Sequence, residues 1–231
     1  ATKASNWSNQ NGHLRAQIIY FFAENLALRE DEWIKRLKEI CGLTRKQAKK
    51  EFHASLSRIF SYAAWADKYD GAVHDAPYRG VTMALPEAIG VLAQIAPEEN
   101  PLITTVSLIA PAIAMGNRIV LIASERYASI ALELVQTLET SDIPAGVVNI
   151  LTGNKADLAK QLAGHAEVDG IWCWAKPEIV AQVESTSAAD LKRLWVHIDG
   201  DRDWLDSQQG EGLEFLRNAT EVKNIWTPYG D

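Results

Sequence analysis

The fold is decided by residues 90 to 125, which read G-V-L-A-Q-I-A-P-E-E-N-P-L-I-T-T-V-S-L-I-A-P-A-I-A-M-G-N-R-I-V-L-I-A-S-E. An apolar run at 91–95 predicts a buried strand, and Pro101 suits the first turn of a helix over 101–115. Gly116 just past that helix and a second apolar run at 119–122 complete the unit. Strands joined by a helix of this length run parallel, because a hairpin can join only antiparallel strands.

The same alternation continues to about residue 200. Apolar runs predict strands at 147–151, 170–174 and 194–198, and amphipathic segments predict helices at 126–139, 155–164 and 177–186. Five strands with crossover helices indicate an α/β fold with a doubly wound, Rossmann-like parallel sheet over residues 87–204.

The chain before this sheet is predicted to be helical over 13–71, after a polar linker at 1–12. The first helix would bury one set of apolar residues, Leu14, Ile18, Phe21, Phe22 and Leu26. The second would be capped by Asp31, place Cys41 in the core and stop at Gly42. Thr44 and Gln47 form a capping box for the third helix, which would run until Gly71.

Two further segments predict a small flap outside the main sheet. Residues 72–86 contain two β-type runs around a Pro- and Gly-containing turn, which indicates a hairpin. After a loop and short helix at 205–220, residues 221–231 alternate as a strand with apolar side chains on both faces. An unpaired strand of this kind is an aggregation hazard, so it is expected to join the hairpin, another chain, or both. Its predicted interaction residues are Val222, Asn224, Trp226, Pro228 and Tyr229.

Composition excludes several classes of partner. The 231 residues carry a formal charge of -7 with scattered basic residues, which argues against nucleic acid and anionic membrane surfaces. The sequence has no membrane-spanning run and no signal-peptide core, so we expect a cytoplasmic protein. Two cysteines are too few for a disulfide framework or a zinc site.

Motifs for phosphate binding or catalysis are missing from the sequence. Neither G-x-G-x-x-G nor G-x-x-x-x-G-K-[ST] occurs, and Glu98 and Glu99 follow the first strand, where they would repel a phosphate. This carboxylate pair is better explained as solvated surface than as a general acid and base. The H-I-D-G-D-R-D run at 197–203 lacks the spacing of a calcium loop, so no metal site is predicted.

Cys173 lies between two tryptophans in W-C-W, residues 172–174, which raises the question of an active-site thiol. Alternation along a strand places Cys173 on one face, as a small apolar residue, and the two tryptophans on the other.

Several stretches in the same order resemble the aldehyde dehydrogenase superfamily, over residues 14 to about 200. P-E-A-I-G-V-L-A-Q-I-A-P-E-E-N-P-L at 86–102 is similar to that family's E-P-x-G-V-x-x-x-I-x-P-W-N-F-P-L. A-P-A-I-A-M-G-N-R-I-V-L-I-A-S-E at 110–125 resembles A-P-A-L-A-x-G-N-x-V-V-L-K-P-S-E, and D-I-P-A-G-V-V-N-I-L-T-G at 142–153 resembles G-x-P-x-G-V-V-N-x-x-T-G. The helical stretches 14–26 and 60–71 look like the family's opening helices.

The departures from this pattern fall on the positions that serve the family's chemistry. By the resemblance, Glu99 replaces the catalytic asparagine that stabilises an oxyanion, and Ile122 replaces the lysine that holds the adenosine ribose. Cys173 to Lys176 replace the F-T-G-S turn that approaches the cofactor pyrophosphate, so the tryptophans are expected to fill the cofactor site. Ser124, Glu125 and Lys176 would be vestigial cofactor-binding positions.

A-A-W-A-D-K-Y-D-G-A-V-H at 63–74 and V-K-N-I-W-T-P-Y-G-D at 222–231 resemble, in particular, the non-catalytic C-terminal module of two-module aldehyde dehydrogenases, and no G-Q-x-C nucleophile motif occurs. This resemblance implies no catalytic residue, no cofactor and no metal here. The implied partner is a catalytic aldehyde dehydrogenase module of the same or a neighbouring chain, whose active site the flap helps to cover, and a homodimer through the flap is a further possibility.

Two other readings stay open at this point. The chain could be a degenerate NAD(P)-binding regulatory domain, or an independent enzyme that uses Cys173 or the 197–203 cluster.

Overall fold

The computed structural model describes residues 6–229. The helices are α1 Asn6–Asn9, α2 Gly12–Ala27, α3 Glu30–Cys41, α4 Arg45–Trp65, α5 Pro101–Ala114, α6 Ala128–Glu139, α7 Lys155–Ala163, α8 Pro177–Ser187, α9 Ser207–Gly210 and α10 Leu213–Asn218. The strands are β1 Ala72–His74, β2 Gly80–Ala88, β3 Val91–Ile95, β4 Arg118–Ile122, β5 Val148–Leu151, β6 Gly170–Ala175, β7 Arg193–Ile198 and β8 Thr220–Pro228. No helix within this range is long and apolar enough to cross a bilayer.

The main sheet has five parallel strands in the order β5-β4-β3-β6-β7, which confirms the predicted α/β fold. From β3 the chain moves outward through β4 to β5, and then returns to add β6 on the other side of β3. Strands β3 and β6 are buried along their whole length, as expected for the centre of a sheet covered on both faces. The strand order reverses between the neighbouring strands β3 and β6, which makes this the topological switch point. Sheets of this kind bind ligands there, beyond the carboxyl ends of the strands.

The two faces of β6 carry different residues, as predicted. Trp172 and Trp174 belong to the larger core, which also contains residues of α2, α4 and α5. Cys173 faces the smaller core beneath α7 and α8, against residues such as Ala163 and Val183.

The N-terminal helices differ in detail from the prediction. Phe22 and Leu26 are fully buried as predicted, but Leu14 and Phe21 are 36% and 39% exposed, and Ile19, which was not predicted, is fully buried. The buried stripe of α2 instead follows helical spacing through Ala16, Ile19, Ala23 and Leu26. Small alanines in this stripe let α2 lie close to its neighbours, so two of the larger side chains remain outside.

The ends of these helices also correct the prediction. Helix α3 begins before Asp31, with Arg29 at the N-cap position, so Asp31 lies in the first turn and favours the helix dipole there. Gly42 does end α3 with φ of 69°, but Cys41 is only half-buried at the rim of the core. The Thr44–Gln47 capping box is confirmed, and α4 ends at Trp65 rather than Gly71.

The predicted linker is partly structured. Residues 1–5 lie outside the described part of the chain, but residues 6–9 form α1. Trp7 is 2% exposed, and its Nε1 donates a hydrogen bond of 3.0 Å to the carbonyl of Ile113. This part of the N-terminus therefore packs against α5.

The flap is a separate antiparallel sheet with the strand order β1-β2-β8. The register of β2 and β8 runs from Gly80 opposite Pro228 to Ala88 opposite Thr220. The expectation that the terminal strand joins the hairpin is confirmed, while residues 230 and 231 lie outside the described range.

Candidate functional site

A cleft of about 380 Å³ opens at the carboxyl ends of the central strands. Its lining comprises Glu98, Glu125, Arg126, Lys155, Lys176, Ile179 and Asp199. These residues follow β3, β4, β6 and β7 or begin α7, so the cleft lies at the topological switch point.

Lys155 is the residue in this cleft that the sequence did not reveal. It is the first residue of α7, its side chain is 5% exposed, and its Nζ donates 2.7 Å to the carbonyl of Ala96 and also to Glu98 Oε1. A lysine in the first turn of a helix is unfavourable to the helix dipole. A lysine at the start of a predicted helix was therefore the feature of the sequence that could have indicated a counter-charge such as Glu98 nearby.

Glu98 is the centre of a polar network, which corrects its interpretation as solvated surface. Its Oε2 accepts hydrogen bonds from Ser124 Oγ at 2.7 Å and from the Arg126 amide at 3.1 Å. Burial alone would raise the pKa of this carboxyl, but the hydrogen bonds from Lys155, Ser124 and Arg126 outweigh it and lower the pKa. Glu99, by contrast, is exposed.

The predicted vestigial positions are only partly brought together. Ser124 Oγ is engaged with Glu98 and also accepts from the Tyr127 amide at 3.1 Å. Glu125 Oε1 accepts from the Lys155 amide at the start of α7. Lys176 is exposed and lines the same cleft as Glu125. The side chains of Ser124 and Glu125 are therefore already engaged in hydrogen bonds within the chain, whereas that of Lys176 is exposed.

The helix that begins beside the cleft is poorly suited to hold a phosphate. Helix α8 has Pro177 at its first position, which has no backbone N–H to donate, and Glu178 adds a negative charge in the same turn. The amide of Ile179 is turned back to the carbonyl of Lys176 at 3.0 Å.

The two tryptophans that were expected to fill a cofactor site do not fill this cleft. Neither Trp172 nor Trp174 lines it. Trp174 packs against Trp195 and Trp204, with ring centroids 4.8 Å and 5.1 Å away. The tryptophan side chains point into the larger core, on the face of the sheet opposite to Cys173. The carboxyl edge is occupied instead by the side chains of Lys155 and Glu98.

The 197–203 cluster does not converge on one point. His197 stacks on Trp174, with 5.4 Å between ring centroids and 13° between planes, and burial lowers its pKa. Asp201 accepts from the Ile198 amide and Asp203 from the Leu205 amide. Burial raises the pKa of Asp199, which faces the cleft. Within residues 6–229 no group of three potential metal ligands is found.

Both thiols are held in their protonated form. Burial raises the pKa of Cys173 to about 12 and that of Cys41 to about 11, with the Glu51 charge contributing at Cys41. Neither sulfur has the low-pKa environment that a nucleophilic cysteine needs.

The loop that holds Glu98 and Glu99 is fixed by a distant residue. Helix α5 starts after Asn100, whose own side chain gives no capping bond. The carboxylate of Glu51 in α4 accepts from the Leu102 amide at 2.9 Å instead. Burial raises the pKa of Glu51, although these amide hydrogen bonds act in the opposite direction.

Strand β8 presents the second candidate site, a docking edge. It lies at the margin of its sheet, and in the described part of the chain no strand pairs with its outer edge. Val222, Trp226 and Tyr229 are 61%, 64% and 59% exposed. Exposed apolar residues on an unpaired edge are a template for another strand.

The direction of the backbone groups of β8 follows from one hydrogen bond. The Tyr229 amide donates to the Arg79 carbonyl at 3.0 Å, so these two residues form a hydrogen-bonded pair. In an antiparallel ladder such pairs alternate, so the odd-numbered residues of β8 face β2. Val222, Asn224 and Trp226 therefore direct their N–H and C=O groups to the outer edge. Pro228 is also even-numbered, so its nitrogen, which carries no hydrogen, faces the outer edge. The ladder with β2 therefore loses no hydrogen bond at this position.

The comparisons with known proteins agree on one family. The model of the aldehyde dehydrogenase family matches residues 1–205. An aldehyde dehydrogenase of Agaricus bisporus is 31% identical over 83% of this chain and 39% of its own length, and a betaine aldehyde dehydrogenase of Bacillus subtilis (strain 168) is 29% identical over 84% and 40%. The chain thus spans about two fifths of these relatives.

Solved structures show the same fold. A betaine aldehyde dehydrogenase of Staphylococcus aureus matches with a TM-score of 0.81 and 21% identity, over 85% of this chain and 40% of the other. An NADP-dependent enzyme of E. coli matches with a TM-score of 0.83 and 23% identity, over 87% and 42%.

Proposed function

Since the chain belongs to the aldehyde dehydrogenase family, we propose that it is a non-catalytic assembly module. Its flap, formed by β1, β2 and β8, docks on a catalytic aldehyde dehydrogenase module of the same polypeptide or of a neighbouring chain. There it adds a strand to the partner's sheet and helps to cover the partner's active site.

The observation that carries this proposal is the outer edge of β8. Val222, Asn224 and Trp226 offer unpaired backbone groups next to exposed apolar side chains. Strand addition uses such an edge, because the main-chain hydrogen bonds give affinity and the alternate side chains give specificity.

The interior of the chain supports a role without catalysis. Glu99 places a carboxylate where the family resemblance expects an oxyanion donor, and a carboxylate opposes developing negative charge. The ion pair of Lys155 and Glu98 occupies the carboxyl edge of the sheet. The thiols of Cys41 and Cys173 are protonated near neutral pH.

Docking is tested with the substitution Asn224→Pro. The Asn224 amide points away from β2, so proline removes an outward donor without breaking the β2–β8 ladder. The purified chain is mixed with a catalytic aldehyde dehydrogenase module of the same source organism, and complex formation is measured by sedimentation. We expect the wild-type chain and the matched control Asn224→Thr to bind, and Asn224→Pro to bind at least about tenfold more weakly.

An assay of the chain alone completes the test. With NAD and an aldehyde, the isolated chain should show no oxidation above the rate without protein. Equal binding of Asn224→Pro and wild type would refute docking through β8, and turnover by the chain alone would refute the absence of catalysis.

A second candidate function is a degenerate NAD(P)-binding regulatory domain. The cleft that contains Glu125 and Lys176 favours it, since its volume of about 380 Å³ could admit part of a dinucleotide. Calorimetric titration with NAD and NADP separates the two functions. Binding in the micromolar range that is lost in Lys176→Ala would establish this second function, whereas absent or millimolar binding would eliminate it.

A further inference from the structure

We propose that, in the absence of a catalytic partner, β8 pairs antiparallel with β8 of a second copy of this chain, in a register centred on Asn224. The three strands of each flap then join into one continuous sheet across a two-fold axis. This inference rests on the proposed function, because it also takes the outer edge of β8 as the assembly surface.

The direction of the backbone groups limits the possible registers. Only even-numbered residues of β8 present outward N–H and C=O groups, so they must lie opposite even-numbered residues of the second copy. Centring on Asn224, the middle of Thr220–Pro228, lets all three outward-facing residues that have free backbone groups, Val222, Asn224 and Trp226, pair with the second copy. Val222 then exchanges hydrogen bonds with Trp226 of the second copy, and Asn224 with its own equivalent.

The exposed side chains favour the same register. It places Val222 beside Trp226 of the second copy, and the symmetry repeats this pair at the other end. Aromatic and β-branched residues directly opposite each other are a favourable cross-strand pair. Both side chains are more than half exposed in the single chain and would cover each other in the dimer.

The charges disfavour one of the two neighbouring registers, the one centred on residue 223. Centring on residue 223 would place Lys223 directly opposite Lys223 of the second copy, and like charges in that position are destabilising. Centring on Asn224 places Lys223 opposite Ile225 and Glu221 opposite Thr227. Lys223 also keeps its own counter-charge, because its Nζ lies 3.0 Å from Glu87 Oε1 in the same chain.

The pairing is closed and self-limiting. A two-fold axis uses the same surface on both copies, so no β8 edge remains for a third chain. At the inner end of the strand, Arg193 Nη1 already donates to the Thr220 carbonyl at 3.3 Å, which confines the new hydrogen bonds to the segment from Val222 to Trp226. A catalytic module would displace the second copy by replacing one strand with another.

Sedimentation of the purified chain over a range of concentrations tests the dimer. Wild type and Asn224→Thr should show a reversible monomer–dimer equilibrium, and Asn224→Pro should raise its dissociation constant about tenfold or more. Circular dichroism and melting temperature confirm that each variant is folded. A wild-type chain that stays monomeric at the highest concentrations, or a dimer that Asn224→Pro leaves unchanged, would overturn the inference.

Disulfide formation tests the register in a Cys41→Ser background. Asn224→Cys should oxidise readily to a cross-linked dimer, because residue 224 lies opposite itself at a separation that a disulfide can span. Lys223→Cys is the matched control and should cross-link much more slowly; a faster reaction at 223 would overturn the register. Binding to the catalytic module is measured separately, so failure of the dimer and failure of docking give different results.

Discussion

At the scale of single residues, the ion pair of Lys155 and Glu98 explains how the carboxyl edge of the sheet is held together. Lys155 Nζ reaches the carbonyl of Ala96 after β3, and Glu98 gathers the Ser124 hydroxyl and the Arg126 amide after β4. Three segments that meet at the switch point are thereby joined by one polar network. Polar networks of this kind stabilise a structure only while every member keeps its partners.

Removal of the Lys155 charge is expected to destabilise the chain. Lys155→Met leaves Glu98 partly buried without its cation and the Ala96 carbonyl without its donor. We expect the free energy of unfolding, measured with urea, to fall by about 2 kcal/mol, below the usual cost for a fully buried pair because Glu98 is 29% exposed. Lys160→Met, at an exposed position of the same helix, is the control and should change stability by less than about 0.5 kcal/mol.

The same pair makes a pH-dependent contribution. The pKa of Glu98 is lowered from its usual 4.5, so its stabilisation is complete above that value and is lost as pH falls through the lower pKa of the folded state. The difference in unfolding free energy between wild type and Lys155→Met should therefore be largest near neutral pH and shrink below 4.5. A difference that does not change with pH would contradict this role for the charge.

Cys173 should behave as a core residue. Its side chain is fully buried and its pKa is raised to about 12, so a thiol reagent at pH 8 should leave it unmodified in the native chain. In the Cys41→Ser variant, we expect reaction with Ellman's reagent only after unfolding in guanidinium chloride. Rapid reaction of the native variant would indicate a nucleophilic thiol instead.

At the scale of elements, the segment that leads from β7 to β8 is fastened to the N-terminal helices by Arg58. This buried side chain of α4 donates to Ser107 Oγ at 2.6 Å and to the Trp204 carbonyl at 2.8 Å. The Gly210 backbone lies directly against the same guanidinium. This contact fastens the segment before β8 to α4, while the ladder with β2 holds β8 itself.

Gly210→Ala should loosen this contact. A Cβ at residue 210 would lie 2.6 Å from Arg58 Nη2 and 2.7 Å from the Trp204 carbonyl oxygen, closer than real Cβ atoms approach. Displacing them should cost about 1–3 kcal/mol of unfolding free energy. Gly164→Ala is the matched control, because its nearest neighbour would be 3.5 Å away; an equal loss in both variants would rule out the contact at Arg58 as the cause.

Periodicity predicted the elements well because it records which face of a segment is buried. The strands and crossover helices of residues 91–198, and the opposite faces of Trp172 and Cys173, follow from local pattern alone. The contacts that define the site do not, because Lys155 and Glu98 are 57 residues apart in the chain. The same holds for Glu51, which caps α5 from 51 residues away. Helical spacing also predicted that Leu14 and Phe21 are buried, which is wrong, because α2 has more apolar residues than its neighbours can cover.

At the scale of the whole molecule, the chain combines a closed interior with an open flap. The carboxyl edge of the sheet is held by the internal ion pair of Lys155 and Glu98, and the thiols are buried or half-buried, whereas β8 leaves backbone donors and acceptors unpaired within residues 6–229. The proposed assembly function uses this free edge of β8.

Residue-resolved amide hydrogen exchange is the most direct measurement of docking through β8. It is measured by NMR on the chain alone, at a concentration where it is monomeric, and after addition of the catalytic aldehyde dehydrogenase module. We expect the module to slow exchange at Val222, Asn224 and Trp226, whose amides point outward, and to leave Lys223, Ile225 and Thr227 unchanged, since these already pair with β2. Protection that appears only elsewhere, or that leaves the even-numbered amides of β8 unaffected, would contradict docking through β8.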